Sequence, residues 1–172
     1  MHQSHASTMQ LRRLEKSDAR AYRDVRLEAS LDPAFAMSAT WFEGMNDSGI
    51  YRAFLMNPAG WVTGAFRQQK MLGIVHIDPA AELHEYMLWG LYVMQKERQR
   101  GVGEALVSSA IDIAQSISAA ALRLHVSASN DSAKRLYQRH GFVRPTSSVN
   151  LPQSDAELMI KPIAAVKTRR DP

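Results

Sequence analysis

Residues 88–114 read LWGLYVMQKERQRGVGEALVSSAIDIA, a pattern that predicts a strand, a glycine-containing turn and a helix in direct succession. The apolar residues 88–93 indicate a buried strand, and the apolar positions from Val102 onward recur every three or four residues, as in an amphipathic helix. Gly101 and Gly103 allow the backbone to turn tightly and to approach a ligand, because neither has a Cβ atom. The free N–H groups at the start of the helix favour an anion, so the turn suits a pyrophosphate.

Two common phosphate-binding motifs are excluded at this turn. A P-loop requires Gly-x-x-x-x-Gly-Lys-Ser/Thr, which the sequence lacks, and a dinucleotide-binding fingerprint requires a third glycine where this chain has Leu106. Arg98 and Arg100 add positive charge beside the glycines. Without further evidence, the same pattern equally fits an ordinary turn that opens a surface helix.

The whole pattern predicts one mixed sheet with helices on its faces. Strands are expected at residues 9–14, 61–67, 71–77, 86–93, 121–127, 142–144 and 156–161. Helices are expected at about 18–31, in one or two short pieces within 34–60, from Gly101 onward, and after an N-cap at Asp131 or Ser132. The three strands between 61 and 93 should pair antiparallel, because parallel neighbours need a crossover of about a dozen residues. We expect a disordered lead-in over 1–8, a single domain over 9–162 and a solvated basic tail over 163–172.

The composition excludes several classes of protein. No apolar run approaches the roughly 18 residues of a transmembrane helix, and the polar start lacks the apolar core of a secretory signal, so we expect a cytoplasmic protein without a membrane partner. The 172 residues include no cysteine, which excludes disulfides, thiolate metal sites and an acyl-cysteine intermediate. His84 and Glu85 begin like a zinc-binding His-Glu-x-x-His, but the fifth position is Leu88, and no metal is predicted. The net charge of +4 alone supports no specific nucleic-acid partner.

Two motifs in the right order resemble the GNAT superfamily of N-acetyltransferases. The strand ending at Val93, followed by Arg98-x-x-Gly-x-Gly103, closely resembles its motif A, and residues 124–142, LHVSASNDSAKRLYQRHGF, are similar to its motif B. Residues 22–29 also resemble the first helix of many bacterial members, so the resemblance covers roughly residues 9–161. It implies the GNAT fold, a mixed, mostly antiparallel sheet of about six or seven strands, splayed between the fourth and fifth strands and flanked by about four helices.

The resemblance implies acetyl-CoA as the co-substrate, bound where the sheet splays. Backbone groups of Leu91 and Val93 are expected to pair with the pantetheine arm like an added strand, while the turn holds the pyrophosphate. The full set of expected cofactor-binding residues is Leu91, Tyr92, Val93, Arg98, Gln99, Arg100, Gly101, Val102, Gly103, Glu104, Asn130, Ala133, Lys134 and Tyr137.

The resemblance also implies the catalytic groups. Tyr137 matches the tyrosine commonly proposed as general acid in the family. A phenol with a pKa of about 10 can protonate a thiolate whose conjugate acid has a pKa of about 8.5, although a tyrosine on an amphipathic helix can also belong to the core. Glu85 is the candidate base, because members often use a glutamate on or near the fourth strand, and Glu82 and His125 are alternatives. Both glutamates are expected in a loop just before that strand, where carboxylates are usually only solvated.

The resemblance therefore implies direct transfer of an acetyl group to a primary amine of a small molecule or peptide, in a ternary complex. The alternative is a non-catalytic acyl-CoA-binding sensor, because the sequence marks no firm base. Trp41 and Phe42 fall where members form the acceptor-facing helices, and homodimers are common in the family. The sequence does not specify the acceptor.

Overall fold

The computed structural model describes residues 8–32, 48–146 and 156–163. Within these ranges the strands are β1 (Met9–Arg13), β2 (Trp61–Arg67), β3 (Lys70–Pro79), β4 (Glu85–Val93), β5 (Ala121–Ser127) and β6 (Ala156–Pro162). The α-helices are α1 (Ala19–Ser30), α2 (Ser48–Leu55), α3 (Val102–Ser116) and α4 (Asp131–Arg139). No helix among these residues is long and apolar enough to cross a membrane. The expectations for residues 1–7, for Trp41 and Phe42, and for residues 164–172 lie outside the described residues.

The six strands form one sheet in chain order, β1-β2-β3-β4-β5-β6. Four of the neighbouring pairs are antiparallel, and the pair of β4 and β5 is parallel. A parallel pair needs a crossover connection, which α3 provides between these two strands. The expected mixed, mostly antiparallel sheet with flanking helices is therefore confirmed.

Helices cover both faces of this sheet. On one side, the α3 face, Leu106 is fully buried in a cluster with Leu72 and Leu122. On the other side, the α1 face, α1 and α2 cover the sheet, and Tyr22 belongs to a cluster with Ile74. Burial of one leucine side chain stabilises a fold by about 2 kcal/mol, so the two clusters hold the central strands from both sides.

Two local expectations near the candidate site are wrong. Glu85 is the first residue of β4 and not part of a loop, because it pairs with Ala121 at the start of β5. The N-cap of α4 is Asn130 and neither of the next two residues, since its side chain accepts a hydrogen bond from the N–H of Ala133 at 3.0 Å. Asparagine is among the strongest N-cap residues, which explains this start.

The strand expected at residues 142–144 is reduced to a single bridge between Val143 and Ile160. Pro145 explains the difference, because proline has no N–H group to donate and cannot extend the ladder. Packing continues one residue past β6 instead. Ile163 is buried, and its N–H donates to the carbonyl of Ala120 at 3.0 Å.

Candidate active site

The parallel pairing of β4 with β5 is short. In these two strands, both described in full, residues 85–87 pair with residues 121–123 and the pairing then ends. Beyond residue 87, β4 continues to Val93 with β3 as its partner. The backbone edge of residues 88–93 that faces β5 is therefore open. A ligand with amide groups can pair with such an edge as an added strand would.

A bulge in β4 orients this open edge. The register between β3 and β4 shifts so that Gly90 and Leu91 lie opposite the single residue Val75. Gly90 has a φ of 60°, and a Cβ there would come within 3.0 Å of His76 and 3.1 Å of Arg26. Both the backbone conformation and the available space therefore require glycine. Because a bulge redirects its strand, Gly90 sets the direction of the peptide groups that follow it.

A buried polar cluster lies behind the bulge on the α1 face. His76 is 1% exposed, lies 3.1 Å from the Tyr22 hydroxyl, and packs against Trp89 with 4.0 Å between ring centroids and the ring planes tilted by 42°. The indole N–H of Trp89 donates in turn to Asp78. Burial, and then the charge of Arg26, hold the pKa of His76 well below its ordinary value of 6.5. The imidazole behind β4 is therefore neutral at physiological pH.

The open edge of β4 leads to a cavity of about 530 Å³ at the start of α3. Gly101 precedes this helix with a φ of 79°, in the left-handed region that favours glycine. The first N–H groups of α3, those of Val102, Gly103 and Glu104, have no partner within the helix. All three residues line the cavity, where these N–H groups can receive an anion.

Most of the expected cofactor-binding residues line this cavity. They are Leu91, Tyr92, Val93, Arg98, Gln99, Gly101, Val102, Gly103, Glu104, Asn130 and Ala133. Arg100, Lys134 and Tyr137 lie among the described residues but do not line it. The lining also includes residues that the sequence does not predict, namely Asp32, Ser132, Arg135, Leu136 and Arg139.

Arg98, the first residue of the glycine motif, is engaged by a carboxylate. Its guanidinium forms an ion pair with Asp32, just after α1, and its Nε donates to the carbonyl of Val93 at 3.1 Å. The Tyr92 hydroxyl lies 3.4 Å from Asp32 and 3.3 Å from Glu28, so its one proton can be donated to either carboxylate. Burial, followed by the charge of Glu28, raises the pKa of Tyr92 to about 12. The sequence predicts that the positive charge of Arg98 is available to an anionic ligand, whereas in the structure Asp32 neutralises this charge.

Arg100 is engaged by a different carboxylate. Glu97 is buried and accepts hydrogen bonds from Arg67 at 2.8 Å, Lys70 at 2.9 Å and Arg100 at 3.4 Å. The hydrogen bonds from Lys70 and Arg67 lower the pKa of Glu97 to about 2, so this carboxylate is charged at neutral pH. The cluster ties the β2–β3 hairpin to the turn before α3. Arg100 thus braces the turn from outside the cavity.

Glu104 places a carboxylate in the first turn of α3, beside the candidate anion site. Arg139 and His140 at the end of α4 hold it, with Arg139 Nε at 2.9 Å and His140 Nε2 at 2.5 Å. The hydrogen bond from Arg139, then that from His140, lowers the pKa of Glu104. These contacts join the α3 and α4 walls of the cavity and offset the negative charge of Glu104.

The cavity suits a ligand that combines amide groups for a strand edge with a phosphate for a helix start. The pantetheine and pyrophosphate groups of coenzyme A provide both. A family model described as the acetyltransferase (GNAT) family matches residues 14–142. The chain belongs to the GNAT acetyltransferases. This membership supports acyltransferase activity.

Solved GNAT structures share the fold of this chain. The ribosomal-protein-S18-alanine N-acetyltransferase from Escherichia coli is 24% identical with a TM-score of 0.70, over 94% of this chain and 98% of its own. An acetyltransferase of the GNAT family from Streptococcus pneumoniae is 25% identical with a TM-score of 0.73, over 91% and 100%. The PaiA N-acetyltransferase from Thermoplasma acidophilum, solved in complex with coenzyme A, is 19% identical with a TM-score of 0.72, over 90% and 99%. No curated protein sequence matches the chain.

Tyr137, the expected general acid of this GNAT domain, lies in the core of the α3 face. Its side chain is 7% exposed, and its ring packs edge-on against Phe142 with 5.7 Å between centroids. Burial raises the pKa of Tyr137, which makes the phenol a weaker proton donor. The structure does not bring Tyr137 into the cavity lining, although Ala133, one turn earlier on α4, belongs to it.

Glu85, the expected base, is paired. Its carboxylate forms an ion pair with Arg123 on β5, and the same guanidinium binds Glu82 at 2.6 Å. These residues lie where β4 and β5 still pair, and none of them lines the cavity. His125, the alternative on β5, is exposed. The two glutamates tie the strands together at the point where the GNAT splay begins.

Asn130 and Lys134 hold the end of β5 against α4. Asn130 lines the cavity, and its side-chain oxygen caps the helix. The Lys134 ammonium donates to the carbonyl of Ala128 and forms an ion pair with Asp131 at 2.9 Å. The Lys134 ammonium also lies 4.0 Å from Glu157 on β6, so its charge is engaged by groups outside the cavity lining.

Sequence reasoning finds Asn130 and Ala133 but misses the rest of the α4 wall of the cavity. Ser132, Arg135, Leu136 and Arg139 follow helical spacing, so they share one face of α4, and this face lines the cavity. That spacing, counted from Asn130 as the N-cap, is a signal that could find them. Asp32 has no such signal, because it reaches the cavity through the packing of α1 against the turn.

Proposed function

We propose that the protein transfers the acetyl group of acetyl-CoA directly to the primary amine of a small molecule or peptide, within a ternary complex. The observation that carries this proposal is the continuity between the open edge of residues 88–93 and the cavity at the start of α3. An extended pantetheine arm can lie along this edge while its pyrophosphate reaches the helix start. Family membership and a neighbour solved with coenzyme A support the co-substrate.

In this arrangement the thioester lies between β4 and β5, beyond the point where their pairing ends. The amine nitrogen attacks the thioester carbonyl and the C–N bond forms. The nitrogen loses one proton, the C–S bond breaks, and coenzyme A leaves as a thiolate that takes up one proton, so the products are the amide and the free thiol. The chain has no cysteine, so no acyl-cysteine can form, which supports direct transfer. Holding both reactants in one cleft lowers the entropic part of the barrier.

Tyr137 remains our candidate for the general acid and Glu85 for the general base. Tyr137 lies on α4 one turn after Ala133 in the cavity lining, which keeps it near the cleft. Burial of Tyr137 and the pairing of Glu85 with Arg123 both oppose these roles. Turnover of the Tyr137→Phe and Glu85→Gln variants decides the two assignments.

We also propose a cytoplasmic protein with one acetyltransferase domain over residues 9–162 and no specific nucleic-acid partner. A homodimer is the alternative to a monomer, because homodimers are common among GNAT proteins. Sedimentation equilibrium of the purified full chain distinguishes the two states by mass.

The test of the function is the release of free thiol from acetyl-CoA in the presence of amines. Because the protein has no cysteine, a thiol reagent reports coenzyme A alone. We expect release above background hydrolysis with at least one amine from a panel of polyamines, aminoglycosides and peptides with free N-termini. Mass spectrometry should then find the acetylated amine. A panel without thiol release above background would contradict the proposal.

A second candidate function is an acyl-CoA-binding sensor that does no chemistry. It is favoured by the burial of Tyr137 and by the Glu85–Arg123 pair, since neither expected catalytic group lies in the cavity. Saturable binding of acetyl-CoA in a calorimeter, with no thiol release on any amine, would favour the sensor. Turnover on any amine of the panel would exclude it.

A further inference from the structure

The α4 wall of the cavity carries a positive charge that no described carboxylate pairs with. We propose that Arg135 binds the 3′-phosphate of coenzyme A, at a second phosphate site separate from the pyrophosphate site at the start of α3. The inference deepens the proposed function and rests on it, because it concerns the same cavity.

The other arginines of the cavity lining are already engaged. Arg98 forms its ion pair with Asp32, and Arg139 forms one with Glu104. The lining therefore contains three arginines and two carboxylates, and the surplus of one positive charge is that of Arg135. A second anionic group entering the cavity would meet this charge without displacing an existing ion pair.

Arg135 has no ion pair or hydrogen bond with any described side chain. The acidic residue on its own helix is Asp131, one turn earlier, whose carboxylate is bonded to Lys134 at 2.9 Å. Arg135 acts on that carboxylate only through space, as the smallest contribution to its lowered pKa. Exposed arginines are often unpaired, so the proposal depends on the place of Arg135 in the cavity lining as well as on its free charge.

The α4 wall is the part of the cavity that remains available for the nucleotide part of the ligand. In the proposed function, the pantetheine arm would lie along β4 and the pyrophosphate at the first turn of α3. α4 comes close to that turn, because a Cβ at Gly103 would lie 3.4 Å from the Leu136 side chain. Arg135 precedes Leu136, and both residues line the cavity beside that turn. A guanidinium presents paired N–H groups that match the oxygens of a phosphate.

The test compares coenzyme A with 3′-dephospho-coenzyme A, which lacks this phosphate and keeps the pyrophosphate. In calorimetry, the wild-type protein should bind coenzyme A about tenfold more tightly, as expected for one charge-assisted hydrogen bond at a partly exposed site. Arg135→Ala should weaken binding of coenzyme A by about the same factor and leave the affinity for dephospho-coenzyme A within about twofold.

Two variants serve as controls. Arg20→Ala removes an exposed arginine from α1, outside this cavity, and should leave both affinities unchanged. Arg135→Lys should keep part of the preference for coenzyme A, because lysine retains the charge and loses the guanidinium fork. Thermal unfolding of all variants should match the wild type, since these side chains are exposed.

The outcomes separate this site from the proposed function. Equal weakening of both ligands by Arg135→Ala would overturn the assignment, because the arginine would then act on a group that the ligands share. Equal wild-type affinity for both ligands would overturn the 3′-phosphate site and leave the proposed function intact. If the wild-type protein bound neither ligand, the proposed function would fail and the site with it.

Discussion

The glycine turn after β4 and the helix α4 both carry arginines, but they use them differently. In the turn, Arg98 and Arg100 are held by carboxylates, one just after α1 and one within the turn itself. On α4, Arg135 lines the cavity without such a partner among the described residues. The arginines of the glycine motif therefore shape a turn whose backbone N–H groups can receive an anion, while the free charge of Arg135 lies on α4, outside that motif. A motif can locate a binding site without identifying the side chains that supply its charge.

Removal of the Tyr137 hydroxyl tests whether α4 contributes chemistry as well as charge. Tyr137→Phe should lower kcat by at least about a hundredfold, the usual scale of a general acid. The KM for acetyl-CoA should stay unchanged, because Tyr137 does not line the cavity and phenylalanine keeps the ring contact with Phe142. Steady-state kinetics measure both constants. Unchanged turnover would remove Tyr137 from the mechanism and leave α4 with binding alone.

A β-branched side chain in the turn tests the role of its backbone. Gly101→Val should weaken acetyl-CoA binding roughly thirtyfold, because the left-handed conformation costs valine about 1–3 kcal/mol and misaligns the first N–H groups of α3. Gly101→Asn is the matched control, since asparagine tolerates this conformation, and it should stay within about threefold. Calorimetry measures both affinities. Wild-type affinity in the valine variant would show that binding does not depend on the geometry of the turn.

Asp32→Asn tests whether the ion pair of Arg98 braces the turn, because the direction of the change in the KM for acetyl-CoA depends on the answer. The variant adds net positive charge to the cavity, which by itself would tighten the binding of an anion. If the ion pair braces the turn, its loss should outweigh this charge and raise the KM for acetyl-CoA about threefold to tenfold, with kcat unchanged. Asp24→Asn, on the exposed side of α1, is the matched control and should change neither constant. Tighter binding by Asp32→Asn would show that Arg98, once released from Asp32, binds the anionic ligand directly.

The smallest effect is expected for Arg100→Ala. This arginine lies outside the cavity lining and bonds to Glu97 at 3.4 Å, so its removal should change the Kd for acetyl-CoA by less than about threefold. Glu97 keeps Arg67 and Lys70 as partners, and the melting temperature should change little. Calorimetry of Arg100→Ala and Arg135→Ala under the same conditions compares their Kd values directly. A loss as large as that expected for Arg135→Ala would mean that both regions use arginine for the ligand.

Elements with strong local signals can be predicted from the sequence. β5 occupies the same residues, 121–127, as its apolar pattern predicts, and α3 begins one residue after Gly101. The order of the elements also predicts the mixed sheet, because short links require antiparallel pairing and the helix between β4 and β5 allows a parallel one. Local pattern and chain connectivity are sufficient for these features.

The partner of each charged side chain at the site cannot be predicted in the same way. Arg98 and Asp32 lie 66 residues apart in the chain, and Arg123 and Glu85 lie 38 residues apart. Such pairs depend on how α1 and the strands pack, which periodicity along one segment does not report. Tyr137 shows the same limit, because helical spacing allows both a core and a cavity position. The rotation of α4 about its axis decides between the two.

Because β4 and β5 part after residue 87, the sheet has inner edges as well as outer ones. Unpaired strand edges are templates for aggregation, and proteins often protect them with charged side chains. The outer strand β1 carries exposed arginines at Arg12 and Arg13. The inner edge of β4, residues 88–93, has no charged residue. This edge lies inside the sheet, between β4 and β5, so a narrow extended ligand is the kind of partner that fits it better than another strand.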